Sequence, residues 1–95
     1  MPLTRIQRWH GRVAAMGCIC CRLMGRGADV PATIHHIREG EAAGGGQRAD
    51  DALVVPLCPD CHQGPKGVHG DKTYLRIIKC TELDLLALVI REAVI

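Results

Sequence analysis

Apolar residues recur at different spacings along this chain, and the changes of spacing mark its elements. Residues 4 to 16, TRIQRWHGRVAAM, read as a helix that Gly11 weakens. Cys18-Ile19-Cys20-Cys21 forms a knuckle, and Gly25, Gly27 and Pro31 punctuate the turn-rich stretch behind it. Residues 33 to 38, inside ATIHHIREG, read as a short strand, and Leu53 to Leu57 as a second one. Pro56 suits a strand edge or end, because it has no N–H to give a neighbour. Between the strands, Glu41 to Asp51 contains Gly44-Gly45-Gly46 and is predicted to be a flexible loop.

Beyond a second knuckle, Cys58-Pro59-Asp60-Cys61, the chain is broken again by Gly64, Pro65 and Gly67. Asp71 is placed to cap a short helix over Lys72 to Lys79. Thr81-Glu82-Leu83-Asp84 resembles a capping box with Asp in the usual Glu place, and opens a last helix to about Val94. Leu83, Leu86, Ala87 and Ile90 recur at helical spacing there. They are predicted to face the core, with a dimer contact as the lesser alternative.

Composition narrows the picture. A chain of 95 residues is expected to be one small domain, residues 1–95, with no internal repeat. It has no Phe, one Trp and one Tyr, so its core must be aliphatic and would gain from a structural metal. The net charge of +2 sets up no strong global field. Arg5, Arg8, Arg12, Arg22 and Arg26 crowd the first quarter, which fits either a phosphate-facing surface or a solvated one. The opening MPLTRIQRW has no apolar signal region and the longest apolar run is interrupted by Arg91 and Glu92. A cytoplasmic protein with no membrane span is therefore expected. In that compartment close cysteine pairs read as metal ligands rather than disulfides.

The strongest chemical signal is the matched pair Cys18-x-x-Cys21 and Cys58-x-x-Cys61. Two such pairs complete a tetrahedron of thiolates around a structural Zn²⁺. Their separation is longer than in common zinc ribbons, but closure cost grows slowly with loop length. Cys20 and Cys80 are read as packing residues. A zinc clamp would close the hairpin and fix the position of His62, the residue after Cys61.

Such a clamp brings His62 toward His35 and His36 on the first strand and His69 in Gly67-Val68-His69-Gly70. Three imidazoles can hold a divalent cation and a fourth can act as general base. Consecutive residues of a strand point to opposite faces, so the adjacent pair divides into two tasks: one turned to an ion, the other to a water. His10, on the first helix, reads as an ordinary satisfied residue.

A hairpin with histidine on its first strand, then Leu-Cys-x-x-Cys-His leading out of its second, resembles the HNH nucleases. The resemblance implies an α+β class: a small zinc-stabilised ββα-metal (His-Me finger) domain with flanking N- and C-terminal helices. It also implies roles: His36 as catalytic general base, His35 as metal ligand and His62 as the later ligand. His69 joins them as a candidate ligand of the catalytic divalent ion. Through MGCICC, IHHIREG, GQRADDALVVPLCPDCHQG, GVHG and TELDLLAL the chain is similar to Ref-like phage recombination enhancement nucleases. Those imply a metal-dependent DNA endonuclease of a phage or prophage, acting in the bacterial cytoplasm with RecA as partner.

Many HNH enzymes carry two ligands four residues apart on the closing helix. Here His62 and His69 are seven apart across Gly64, Pro65 and Gly67, so His69 must approach from a loop or a helix start. The asparagine that often pins the HNH loop is missing. Asp50 or Asp51 is placed to cap that turn, and neither is given a catalytic role. Mg²⁺ or Mn²⁺ is the expected ion, although imidazoles also accept Zn²⁺ or Ni²⁺. With few aromatic residues, DNA binding is expected to be salt-sensitive and indifferent to sequence. The competing reading is a non-catalytic zinc-binding module that docks on DNA or protein, which leaves four histidines without a task.

Overall fold

The computed structural model describes residues 2–37 and 50–94. Two antiparallel strands, β1 (Thr33–His36) and β2 (Val54–Leu57), form the centre of a small α+β fold. The register pairs Thr33 with Leu57, His35 with Val55 and His36 with Val54. All four residues of β2 are buried, so this strand is the spine of the core. Pro56 is tolerated because a two-stranded sheet gives each strand a free edge. The predicted strand end at Arg38 and most of the predicted loop, residues 41–49, lie outside the described residues. The described end of that loop is a turn in which the Asp50 carboxylate accepts from Ala52 N at 2.7 Å.

Helix α1 (Arg5–Ala14) starts at Thr4, where a reciprocal bond between Thr4 and Gln7 satisfies two otherwise orphaned backbone N–H groups. It packs on both strands, burying Val13 and laying Trp9 against the core. Helix α2 (Ile19–Leu23) carries the first knuckle and α3 (Pro59–Gln63) the second; both pack on β2. Each is a single turn begun by a cysteine, Cys18 or Cys58, so the knuckles are helix starts rather than free loops. Helix α4 (Thr73–Ile78) comes next, with the Asp71 carboxylate accepting from Thr73 N at 2.9 Å, and α5 (Glu82–Val94) closes the fold on β2.

The capping box of α5 forms as its sequence suggests. Thr81 N donates to Asp84 at 2.8 Å, and Asp84 N to Thr81 Oγ1 at 3.1 Å. The predicted core stripe is corrected. Of Leu83, Leu86, Ala87 and Ile90, only Leu86 is buried; the face turned inward is Glu82, Leu85, Leu86, Val89 and Ala93. Nine of thirteen residues of this helix are apolar, so two overlapping stripes satisfy the same periodicity. Polar contacts choose between them: Glu82 reaches inward to His35, Arg12 donates to Ala93 O, and Arg22 pairs with Glu92 at 2.9 Å. Among the described residues no helix is long and apolar enough to cross a membrane.

Candidate functional site

Folding of α2 and α3 against β2 brings Cys18, Cys21, Cys58 and Cys61 into one buried cluster. The Cys21 Sγ lies 3.6 Å from Cys58 Sγ and 3.7 Å from Cys61 Sγ. A tetrahedron with metal–sulfur bonds of about 2.3 Å has edges of about 3.8 Å, so these separations suit four sulfurs around one ion. They are far too long for a disulfide. Cys21 N also donates to Cys18 Sγ at 3.4 Å, directing a backbone dipole at the sulfur. Burial pushes the Cys21 thiol up to about 12, the sulfurs of Cys18 and Cys58 adding to the rise, and it raises Cys61 as well. Thiolates gathered this closely out of water need a cation, and the four cysteines can hold a structural metal. Cys20 is fully buried, and Cys80 packs on the rim of the core; neither joins the cluster.

The quartet anchors the segment behind it. His62 sits in the last turn of α3, and the chain then folds back so that Val68 N donates to Cys61 O and His69 N to His62 O, at 2.9 and 3.0 Å. This return is tight: a Cβ on Gly67 would meet Cys61 O at 2.5 Å and Asp60 O at 2.7 Å. Glycine at 67 thus permits the approach that lays His69 beside His62. As the broken sequence required, His69 arrives from a turn and not from the same helix.

Opposite them stands His35 of β1. The ring centroids of His35, His62 and His69 are 4.9, 5.0 and 4.8 Å apart, a nearly equilateral triangle, and their ligand atoms all lie within 4.8 Å of one another. The triad grades from buried His35 through His62 to exposed His69, so one side of it is open to solvent. Burial and the neighbouring imidazoles His35 and His69 hold His62 below the usual histidine range, which keeps a lone pair ready for an ion at neutral pH.

Sequence reasoning missed Glu82. It is one of two buried polar residues in the described core, the other being His35, and its Oε1 accepts from His35 Nε2 at 2.5 Å. That hydrogen bond is the main reason the carboxyl is held below the ordinary Glu range. The signal was present but misleading, since TELD reads as a capping box in which Glu82 has no task.

His36 leaves β1 on the other side and belongs to a separate cluster. Its Nε2 donates to Asp51 Oδ1 at 3.0 Å, and it stays partly exposed. Helix α1 holds the Asp51 segment from behind: His10 Nε2 donates to Asp51 O at 2.6 Å and Trp9 Nε1 to Ala52 O at 2.8 Å. The His10 ring meets the His36 ring edge-on at 5.7 Å. Asp50 takes the turn-capping role; Asp51 takes a histidine. Three of the five arginines of the first quarter are engaged within the fold: Arg22 pairs with Glu92, Arg26 with Asp60, and Arg12 bonds the end of α5.

A buried thiol quartet beside a strand-mounted imidazole triad defines a small α+β protein with two candidate metal centres. The chain belongs to the family described as recombination enhancement, RecA-dependent nuclease, which it matches over residues 3–90. No curated protein matches it. Family membership gives nuclease activity as the general class, with DNA as substrate and dependence on RecA as the name states.

Proposed function

We propose that residues 1–95 form a single HNH-type nuclease domain that hydrolyses DNA phosphodiester bonds with one catalytic divalent ion. The observation that carries this reading is the division of the histidine pair. His35 faces His62 and His69, while its neighbour His36 faces solvent with a carboxylate behind it. The antiparallel β1–β2 pair leading into α3 is also the order of elements a ββα-metal finger requires.

In this reading Cys18, Cys21, Cys58 and Cys61 hold Zn²⁺, and His35, His62 and His69 hold the catalytic ion, Mg²⁺ or Mn²⁺. When bound, that ion supplies positive charge to the phosphate and to the departing 3′ oxygen. His35 keeps its Nε2–H on Glu82, which leaves Nδ1 with the lone pair for coordination. His36 keeps its Nε2–H on Asp51, which leaves Nδ1 to take a proton from the attacking water. Asp51 orients the ring and stabilises the imidazolium that forms. Action in the bacterial cytoplasm, where RecA filaments form, and a phage or prophage origin go with this reading.

Metal titration by calorimetry beside plasmid nicking, with and without RecA filaments, tests it on the zinc-loaded chain. His35→Ala should lose divalent-ion binding and cleavage together. His36→Ala should keep the ion and the fold while cleavage slows by about 10² to 10⁴-fold, the usual worth of a positioned general base. Unchanged cleavage in His36→Ala overturns the roles. A wild-type chain that holds an ion only at its cysteines would be a docking module.

A further inference from the structure

Among the described residues, the non-glycine residues with positive φ are Lys72 (62°) and Lys79 (56°). They bracket α4, Lys72 before its first turn and Lys79 just past its last. Glycine adopts this left-handed backbone without penalty and is the common choice just beyond a helix end. Both backbones are hydrogen-bonded, Lys72 N to Gly67 O at 3.1 Å and Lys79 N to Arg76 O at 3.3 Å, yet a side chain other than glycine's carries a cost in this conformation.

Both lysines line the same open groove of about 350 Å³, together with Leu75, Arg76, Cys80 and Thr81. Arg76 is steadied on this wall by bonds to Asp71 O at 2.7 Å and Thr73 Oγ1 at 3.0 Å. Neither lysine makes an ion pair among the described residues, whereas Arg22 and Arg26 are neutralised by Glu92 and Asp60. Arg76 lies 4.0 Å from Asp71 and Lys72 acts on the Glu82 carboxylate, so the groove sets three cations, Lys72, Arg76 and Lys79, against those two acids. Its lining residue Thr81 directly precedes Glu82, the carboxylate that holds His35, while none of the three imidazoles lines the groove itself. No aromatic side chain lines it to stack on a base.

We propose that this groove between α4 and the start of α5 seats the sugar-phosphate backbone of the nucleic-acid substrate, with Lys72 and Lys79 as its phosphate contacts. The proposal rests on the nuclease reading for its substrate class. Lysine suits the task as a flexible point charge that neutralises phosphate without reading sequence. The left-handed backbone at both positions then sets one charge at each end of α4, along the groove.

Lys72→Gly and Lys79→Gly test this, because glycine relieves the backbone while deleting the charge. Binding of mixed-sequence duplex and single-stranded oligonucleotides is measured by fluorescence anisotropy on the zinc-loaded chain, without added catalytic ion. Each variant should melt at or above the wild-type temperature yet bind several-fold more weakly, equally across sequences. The slope of log affinity against log salt should fall by about 1 for each lysine removed. A gain in melting temperature with affinity and salt slope unchanged would reduce the lysines to helix caps and overturn the proposal. The same loss from Lys66→Ala, a lysine outside the groove, would show a bulk-charge effect and also overturn it. Failure of the wild-type chain to bind nucleic acid at all would instead remove the nuclease reading beneath it.

Discussion

His35 and His36 each have a carboxylate of their own, on opposite sides of one strand, and the two pairs differ in burial. The His35–Glu82 pair is almost wholly out of water, where a hydrogen bond is strong and a lost partner is costly. The His36–Asp51 pair is partly exposed and correspondingly screened. Glu82→Gln keeps the shape of the buried partner but weakens its acceptor. Divalent-ion affinity at the imidazole triad should fall by about tenfold or more, the usual effect of removing such a supporting carboxylate. The zinc content and circular dichroism should stay as in the wild type. Calorimetry would settle it, since equal affinity in the two proteins would leave Glu82 a buried helix-start residue and nothing more. Nitrogen chemical shifts of His35 give an independent reading: an Nδ1–H tautomer in the wild type would contradict donation from Nε2 to Glu82. Asp51→Asn should leave ion affinity alone and slow cleavage, because it touches His36, the proposed base, and none of the three imidazoles of the triad.

At the scale of elements, the outcome at α5 shows what a pattern can and cannot specify. The start of the helix was legible because a capping box is a local chemical requirement, and local requirements survive folding. Its inward face was not, because the run ELDLLALVIREAV is apolar on adjoining sides and periodicity alone cannot rank them. The choice depends on His35, Arg12 and Arg22, residues far away in sequence. The same division holds for the sites. Paired CxxC motifs and the histidines carry ligand chemistry in their spacing, whereas the Glu82 and Asp51 contacts exist only once helices α5 and α1 have docked. The corrected register has an energetic consequence. Leu85→Ala, at a fully buried position, should cost about 2–5 kcal/mol. Leu83→Ala, at a position 44% exposed, should change stability by no more than about 0.5 kcal/mol. Urea unfolding of both variants decides, and a larger cost at Leu83 would restore the stripe read from sequence.

For the molecule as a whole, the two clusters make stability depend on acid and on metal in the same direction. His62 is held below its unfolded value by burial, so below about pH 6.5 the unfolded chain takes up the proton more readily and the native state loses ground. Glu82 is also depressed, by the bond from His35; its contribution is intact above the ordinary Glu range and disappears as pH falls through its native value. The melting temperature should therefore decline steadily from about pH 7.5 toward about pH 4, and a flat profile would contradict both assignments. Metal removal is the more severe test. A chain of 95 residues is expected to have a net stability of roughly 5–14 kcal/mol. A structural zinc on four thiolates contributes roughly 10–16 kcal/mol, as much as that whole margin. The quartet is moreover the only covalent-strength tie proposed between α2 and α3, and the turn that places His62 and His69 begins at Cys61. Chelation should then unfold the domain and scatter the imidazoles together, so that ellipticity and divalent-ion binding vanish in one transition. Helical ellipticity that persists after zinc has been fully removed would mean that the aliphatic core around β2 suffices without the metal.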